Sequence, residues 1–583
     1  MSRVRASLAV ALLAAGVAQG QDLKPPLDAS VRFLDPQGAD LAQVVPGQPF
    51  QVALSFAARI GSVPSDLAPL AWLRQRGPGD LPCAETAAAY RATGSAALGS
   101  VDLNGRVLGV LARDGAMTVL DPQRALGTAN LLAAHRFDPA PLDLAADPTA
   151  GRFLLTLPER GELVALDPMG GTRVVARGLD RPGPLVAAAS GGAWLVEQGS
   201  GDVLRPDRGQ RWSLGARAIA GDGAPSRRLA VLSSDRLTVL GDDGTTLLSA
   251  PAPGALAVGL GPEAALWLGA DALHVLWLDA PLAPAQRIAL DGSFQRIAVS
   301  PEGRMVVLSA PDRLGFGVVD LARGRMVQSA LTDSPVAEVA FLPQTAMLRL
   351  ADGSAVGVMD LRGAAPAGAE PVLGRVSIGP RGAPDGPEAR LLVPLSPEPA
   401  MLAIHADSFT GFVLDRRHAV SGKPAMEAMR LRGGIPRLAV ALDRGLRPAG
   451  PGRFLASARL PRPGAWELVV SAGLGQMAFC AMLPVPPQLE AVQDQPGRIQ
   501  AQADAQGRLR LLFLAGDGRP AADLAGMLDL AALTGNWRQR QGFRTDPRGV
   551  TTQSWDLRQR LPLVVTADPE TGAFAPLVLE APP

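Results

Sequence analysis

The side chains that could bind a metal or carry out redox chemistry are few in this chain of 583 residues. There are four His, and only His405 and His418 are close enough in sequence to match the short ligand spacing of a usual zinc or haem site. The chain has no Cys-x-x-Cys-His, Gly-x-x-x-x-Gly-Lys-Ser/Thr, His-Glu-x-x-His or Gly-x-Ser-x-Gly segment. Covalent c-type haem is therefore excluded, and no catalytic residue is predicted.

Soft ligands are concentrated between Met401 and Met482. This segment holds five of the 13 Met, two of the four His and one of the two Cys. Thioether, imidazole and thiolate are the ligands that Cu(I) selects, and Met426-x-x-Met429 would place two sulfurs on one side of a helical turn. One interpretation is a copper site, and the alternative is that these Met side chains fill apolar gaps in a core. The predicted copper ligands are Met426, Met429, His418 and His405.

The N terminus predicts export. A basic start at Arg3 and Arg5 precedes an apolar run and a small-x-small site at Ala18-Gln19-Gly20, which is the pattern of a secretory signal peptide over 1–20. No later apolar run is long enough to cross a bilayer, so a mature chain without a membrane span is expected in a Gram-negative periplasm. The formal net charge of +1 offers no basic field for nucleic acid.

The two cysteines, Cys83 and Cys480, are the other reactive pair. In an oxidising compartment an even count favours a disulfide, which here would tie the N-terminal region to a region that follows the central repeats. The alternative is two separately buried thiols, because spacing alone does not place the two residues within bonding distance.

Short strands joined by turns are predicted for most of the chain. Gly and Pro number 65 and 53, which favours turns over long helices. One sequence pattern of three apolar runs recurs, most clearly at 142–167 and 297–320. A period near forty is typical of β-propeller blades, since a blade buries both faces only against two neighbours. Successive copies of the pattern end 36 to 46 residues apart. Their ends lie near Asp121, Asp167, Arg205, Gly241, Asp279, Asp320 and Asp360.

A further copy of the pattern lies at 391–415, after a Gly/Pro-rich insert at 363–387. It either forms an eighth blade or completes the first, so seven and eight blades both remain open. The repeats resemble the YVTN and cytochrome d1-type propeller superfamily over about 100–415, with Ser300-Pro301-Glu302-Gly303-Arg304 where that family has a Ser-Pro-Asp-Gly-Arg turn. The resemblance implies a propeller but no single activity, because the superfamily contains enzymes, binders and scaffolds.

Alternating strands on both sides of the repeats predict β-sandwich modules. Before the repeats they lie at 31–34 and 50–56, and after them at 453–460 and 465–470. The later pair resembles the small immunoglobulin-like domains of the FixH and YtkA-like type. The predicted all-β organisation, with one short helix at 521–533, is a signal peptide (1–20), an N-terminal sandwich and linker (21–95), a seven- or eight-bladed propeller (96–415), a FixH/YtkA-like sandwich (416–485) and a C-terminal β-rich domain (486–583).

Two functions compete at this point. The first is a non-catalytic binding, scaffold or accessory protein with a periplasmic protein partner, in the redox or copper-handling context that the FixH and YtkA-like resemblance implies. The second is an oxidoreductase that holds a d1-haem-like or quinone-like cofactor in the central funnel. The second function would need Arg side chains to pair with the cofactor's carboxylates.

Overall fold

The structure is a computed structural model that describes residues 27–580, apart from 36–37, 78–79, 94–99, 123–129, 169–170, 363–370, 387, 396–398, 419–424, 426, 461, 473–476, 487–496, 505, 507, 533–536, 558–559 and 570–573. The described part is almost entirely β-strand. The signal peptide and Met426 lie outside the described residues. No described helix is both long and apolar enough to cross a membrane.

The described part begins with four strands and an α-helix. These elements are β1 (Leu27–Leu34), β2 (Pro49–Ala58), β3 (Leu70–Gln75), α1 (Cys83–Thr93) and β4 (Val101–Asp102). The strands expected at 31–34 and 50–56 are thereby confirmed. The helix was not predicted from the sequence, where its residues counted as linker.

Eight four-stranded antiparallel sheets follow in the described part, and each is named here by its order along the chain. Sheet 1 takes β5 (Arg106–Ala112), β6 (Ala116–Leu120) and β7 (Leu131–Arg136), and a fourth strand from much later in the chain. Sheets 2 to 4 are β8 (Leu144–Asp147), β9 (Arg152–Leu157), β10 (Glu162–Leu166) and β11 (Thr172–Ala176); β12 (Pro182–Ala187), β13 (Ala193–Glu197), β14 (Asp202–Arg205) and β15 (Gln210–Ser213); and β16 (Ala218–Gly221), β17 (Arg228–Leu232), β18 (Arg236–Gly241) and β19 (Thr246–Pro251).

Sheets 5 to 8 repeat the same pattern. They are β20 (Ala257–Leu260), β21 (Ala264–Leu268), β22 (Ala272–Trp277) and β23 (Gln286–Ala289); β24 (Arg296–Val299), β25 (Met305–Ser309), β26 (Phe316–Asp320) and β27 (Arg325–Ala330); β28 (Val336–Leu342), β29 (Thr345–Leu350), β30 (Ala355–Asp360) and β31 (Leu373–Ser377); and β32 (Leu392–Pro394), β33 (Ala400–His405), β34 (Thr410–Asp415) and β35 (Ala428–Arg430).

The sheets bury both faces because each packs between two others. All six residues of β9 are buried, and one apolar core joins sheet 5 to sheet 6 while another joins sheet 6 to sheet 7. The first strand of each sheet is the inner one, and β36 (Pro436–Asp443) returns to pair with β5 and lies against both β8 and β32. The chain therefore closes on itself, as a propeller requires.

The turn at 300–304 shows why the propeller-like motif has its composition. Gly303 adopts φ +74°, and a Cβ there would lie 2.8 Å from the ring of Pro262, so only glycine fits this turn without strain. Arg304 donates to Asp320 at 2.8 Å, which ties the turn to the end of the third strand. Burial opposes the charge on Asp320, but the bonds and charge of Arg304 outweigh it and hold the pKa of Asp320 below its usual value.

The two flanking segments form one unit instead of the two modules expected at 21–95 and 416–485. After β36 the chain adds β37 (Arg447–Gly450), β38 (Arg453–Arg459), β39 (Trp466–Ser471) and β40 (Ala478–Met482). Strand β2 pairs with β38 and β3 pairs with β39, giving sheets in the orders β1-β2-β38-β37 and β4-β3-β39-β40 around one apolar core. Each segment supplies half of that core, so the FixH and YtkA-like resemblance is not shown as a separate module.

This two-sheet unit lies against one end of the ring. We call the end where the inner strands begin the entry face and the opposite end the exit face. Ser457 donates to the carbonyls of Pro148 and Thr149 at 2.7 and 2.8 Å, and Arg459 pairs with Asp167 at 2.7 Å. All three partners lie in exit-face turns of sheet 2, so the unit covers part of the exit face.

The last segment forms a separate β-rich unit, as predicted. Its strands are β41 (Gly497–Ala503), β42 (Leu509–Leu514), β43 (Ala525–Ala532), β44 (Arg538–Arg544), β45 (Leu563–Pro569), β46 (Phe574–Ala575) and β47 (Leu577–Leu579). The helix predicted at 521–533 is wrong, because β43 pairs with both β44 and β45. Leu528 and Leu530 are buried on alternate positions, so sheet packing overrides a weak helical propensity.

The C-terminal unit packs on β7, the outer strand of sheet 1. Ala531 and Val564 contact Ala134 in a small apolar cluster, and Arg538 pairs with Asp138 at 2.8 Å.

The neighbouring residue on β7, His135, gives the protein a pH-dependent stability. Its Nδ1 is shielded from solvent and has no partner among the described residues. Burial, aided by the charge of Arg160, lowers its pKa from 6.5 to about 4. The folded state therefore resists protonation, and the stability that His135 contributes is complete above pH 6.5 and declines as the pH falls toward 4. From pH 7.5 to 5.0 this group should remove about 2 kcal/mol of unfolding free energy.

Urea denaturation of the parent and of His135→Gln at the two pH values measures this effect. The variant should lose less stability between pH 7.5 and 5.0 than the parent does. Equal losses in the two proteins would show that His135 is not the group responsible.

Candidate binding site in the central channel

A cavity of about 640 Å³ opens at the entry-face end of the central channel. Residues from six of the eight sheets line it, together with the segments that lead into β8 and β32, because the inner strands converge there. Its apolar wall includes Ile219, Val258, Ile297, Val339 and Leu438, and a cavity of this size and lining is typical of small-molecule sites. Its polar lining residues include Asp143, Gln198, Gln295, Arg296, Ser309, Glu338, Glu388 and Arg390.

Most of the charges at the cavity are held by partners of opposite sign. Arg390 pairs with Asp143, and the backbone N–H of Leu185 donates to the same carboxylate at 2.8 Å. Arg437, at the start of β36, lies 3.5 Å from Glu388. The first pair joins the segments before sheets 2 and 8, on either side of sheet 1, and the second joins sheets 1 and 8, so both hold the side chains in defined positions.

The most buried charges form a cluster between sheets 7 and 8. Glu338 accepts the backbone N–H groups of Leu391 and Leu392 at 2.7 and 3.1 Å. Arg349, whose side chain is 0% exposed, lies 3.4 Å from Glu338 and 2.7 Å from Asp385. Burial raises the pKa of Glu338, while Arg349 and the two N–H donors oppose that shift. The ion pairs and hydrogen bonds of this cluster join sheet 7 to sheet 8 beneath the cavity.

Arg296, the first residue of β24, differs from Arg390 and Arg437 at this end of the ring. Its Nη1 donates to the carbonyls of Val336 and Ala337 at the start of the next inner strand. No carboxylate among the described residues lies within 4.0 Å of it, and neither its Nε nor its Nη2 has a protein acceptor there. Burial lowers the pKa of Arg296, and the charge of Glu338 only partly opposes this. Arg296 is therefore a positioned guanidinium that has no carboxylate within 4.0 Å among the described residues.

The predicted copper ligands do not meet. His405 and His418 lie beyond opposite ends of the β33–β34 hairpin, in which Ala400 pairs with Asp415 and His405 with Thr410. Five residues of strand separate those two ends, or about 16 Å at 3.3 Å per residue. Both ring nitrogens of His405 already have neighbours, Ser408 Oγ at 2.8 Å and the Pro380 carbonyl at 3.0 Å.

The remaining predicted ligands give no metal site either. Met429 is buried in the apolar core between sheets 8 and 1, which is the gap-filling role, and Met426 is outside the described residues. Among the described residues no group of three or more His, Cys, Asp and Glu side chains could hold a metal. The other predicted pair, Cys83 and Cys480, forms a disulfide in the structure with 6.0 Å between the Cα atoms.

The cavity does not fit a haem held through its iron by the protein. The residues that line it include no His, Cys, Met or Tyr, which are the usual axial ligands. Sequence reasoning missed the charged residues of this cavity. A signal did exist, because Arg217, Arg296, Arg390 and Arg437 recur immediately before or at the start of an inner strand.

Comparison with known proteins adds little to these observations. No family model and no curated protein matches the chain. Among solved structures, apo AztD from Citrobacter koseri is 14% identical over 58% of this chain and 98% of its own, with a TM-score of 0.42. Dihydro-heme d1 dehydrogenase NirN in complex with DHE is 14% identical over 66% of this chain and 74% of its own, with a TM-score of 0.32. A streptogramin B lyase is 14% identical over 38% and 79%, with a TM-score of 0.30.

At these TM-scores none of the similarities transfers a residue role or an activity. The class of protein is defined by this chain's own features: an almost entirely β structure of four-stranded antiparallel sheets, consistent with a β-propeller.

Proposed function

We propose that this protein is an exported, eight-bladed β-propeller that binds a small molecule in its central channel and serves as an accessory factor for a periplasmic protein partner. The observation that carries the proposal is the cavity at the entry face. Six of the eight sheets and the segments that lead into the other two supply its wall, and charge pairs such as Arg390 with Asp143 hold its polar side chains in place. A site that is already organised loses little entropy when a ligand binds.

The position of the other units supports a ligand that enters from one side. The two-sheet unit lies against the exit face through Ser457 and Arg459. The entry face carries exposed apolar side chains on sheets 5 and 6, with Leu256, Leu314 and Leu331 exposed by 56%, 49% and 82%. Exposed apolar groups beside a cavity are typical of interaction surfaces, which supports contact with the protein partner at this face.

Export is supported by the disulfide as well as by the predicted signal peptide, because such bonds persist in oxidising compartments. Copper handling is not part of this proposal, since His405 and His418 are far apart. The haem form of the oxidoreductase alternative is also set aside, because the cavity lining offers a haem iron no axial ligand.

Native mass spectrometry of the protein purified from its own periplasm tests the proposal. We expect a colourless protein that carries a bound small molecule, and we expect Ala298→Trp, which fills the channel wall, to lose that molecule. Ala283→Trp is the matched control, because Ala283 is exposed on an exit-face turn of sheet 5. A haem or quinone absorption band, or a ligand retained fully by Ala298→Trp, would contradict the proposed function.

A further inference from the structure

We propose that Arg296 binds the carboxylate of a small organic acid whose apolar part lies along the channel wall. This inference rests on the proposed function, because it takes the channel to be the ligand site. It adds the chemical class of the ligand and the residue that selects it.

The guanidinium of Arg296 is held in place through one of its edges only. The Nη1 bonds to the Val336 and Ala337 carbonyls orient the group and leave its Nε and Nη2 edge facing no protein acceptor among the described residues. That edge presents two nearly parallel N–H donors, which match the two oxygens of a carboxylate. Arg296 thus has one side used for positioning and the other available to a ligand.

The Arg side chains around the channel differ in whether a carboxylate lies beside them. Arg390, Arg437 and Arg349 each have a carboxylate within 4.0 Å. Arg296 has none in the described part of the chain, although it is half-buried. A cation removed from water without a counter-ion is unfavourable, so an anionic ligand would bind more favourably here than a neutral one.

The size and lining of the cavity favour a ligand with an apolar body. About 640 Å³ is far more than a carboxylate group fills, and the neighbouring wall includes Leu256, Val258 and Ala298. Burial of an apolar chain there contributes roughly 0.8 kcal/mol per CH₂. The ligand class is therefore a carboxylate with an apolar body instead of a small inorganic anion.

A purely structural role for Arg296 is the competing explanation, and Arg217 provides its control. Arg217 lies just before the inner strand of sheet 4 and donates through Nε and Nη2 to the Ser233 carbonyl. It also contacts the Ala255 carbonyl just before the next inner strand, so it joins sheets as Arg296 does. Arg217 does not line the cavity, and its bidentate edge is already occupied.

Isothermal titration calorimetry with octanoate and octanamide, which match in size and differ in charge, tests the inference. We expect the parent protein to bind octanoate at least about tenfold more tightly than octanamide, since hydrogen bonds to a charged group are the stronger ones. Arg296→Gln should weaken octanoate binding by about 10- to 100-fold and leave octanamide binding unchanged. Arg217→Gln should bind both probes as the parent does, and thermal unfolding of both variants verifies that they are folded.

The inference is overturned if the parent does not bind octanoate, if it binds the two probes equally, or if Arg296→Gln and Arg217→Gln have the same effect. Ala298→Trp separates these results from a failure of the proposed function. If that variant loses both probes while the parent does not distinguish them, the channel is still the binding site and only the role of Arg296 fails. If Ala298→Trp binds octanoate normally, the channel is not the site and both proposals fail.

Discussion

Replacing Arg349 with Met should lower the free energy of unfolding by about 3–5 kcal/mol, the usual cost of removing one partner from a buried ion pair. The Arg349 side chain is 0% exposed and lies between Glu338 and Asp385. Met fills much of the same volume but leaves the two carboxylates without their shared cation. Urea denaturation of the two proteins at pH 7.5 measures the difference.

The pH dependence of this loss identifies its cause. Burial already raises the pKa of Glu338, and Arg349 opposes that shift, so removing Arg349 raises the pKa further. A carboxyl with a raised pKa in the folded state contributes stability at low pH that is lost as the pH rises through that pKa. The deficit of Arg349→Met relative to the parent should therefore be smaller at pH 5.0 than at pH 7.5.

Two further variants test whether the charge cluster is responsible. Adding Glu338→Gln to Arg349→Met should recover part of the loss, because it removes the carboxylate that lost its cation, whereas Asp385 keeps Arg113 at 2.8 Å. Arg32→Met breaks an ion pair of 2.6 Å between exposed side chains and should leave the melting temperature unchanged. If Arg349→Met is no more harmful than Arg32→Met, the buried cluster does not hold sheets 7 and 8 together.

Replacing both cysteines with Ser should lower the stability of the two-sheet unit by about 2–5 kcal/mol, the usual cost of removing a native disulfide. Cys83 is the first residue of α1 and Cys480 lies on β40, 397 positions later. Helix α1 otherwise rests on this sheet through a small contact in which Tyr90 stacks on Trp72 with ring centroids 4.2 Å apart. Loss of the bond should therefore release α1 first.

Thiol titration and calorimetry measure these effects. The denatured but unreduced parent should show no free thiol, and dithiothreitol should lower its melting temperature to that of Cys83→Ser with Cys480→Ser. The double variant itself should not respond to the reductant, which controls for other effects of reduction. Two free thiols in the unreduced parent, or equal melting temperatures for parent and double variant, would contradict the prediction.

The strands were largely predictable and their partners were not. Period-two alternation located β2 and β38 correctly because it depends only on neighbouring residues. It could not show that the rings of Phe56 and Phe454 contact each other, with centroids 5.9 Å apart. The alternation is the same for a strand paired within its own segment and for one paired with a distant segment. Strand β43 shows the same limit, because its pairing with β44 and β45 decided against the helix that its composition favours.

The candidate site was predictable only in part. A count of His and Met located soft ligands in one segment of sequence, but antiparallel pairing placed His405 and His418 at opposite ends of a hairpin. The channel was missed because its residues come from six sheets and from the segments before two others, which are far apart in sequence. The recurrence of Arg at the start of inner strands was visible in the sequence, yet only the structure distinguishes Arg296 from Arg390 and Arg437, which have carboxylate partners.

The sequence by itself determined that the chain is built from short strands joined by Gly- and Pro-rich turns and that a unit of about forty residues repeats. These features follow from local backbone preferences and from the alternation of apolar residues, which act over a few residues. The tertiary structure decided that β36 closes sheet 1, that Cys83 reaches Cys480, and that Arg296 faces a cavity without a counter-ion. Those outcomes depend on which distant surfaces bury each other best, and this complementarity exists only once the strands have packed.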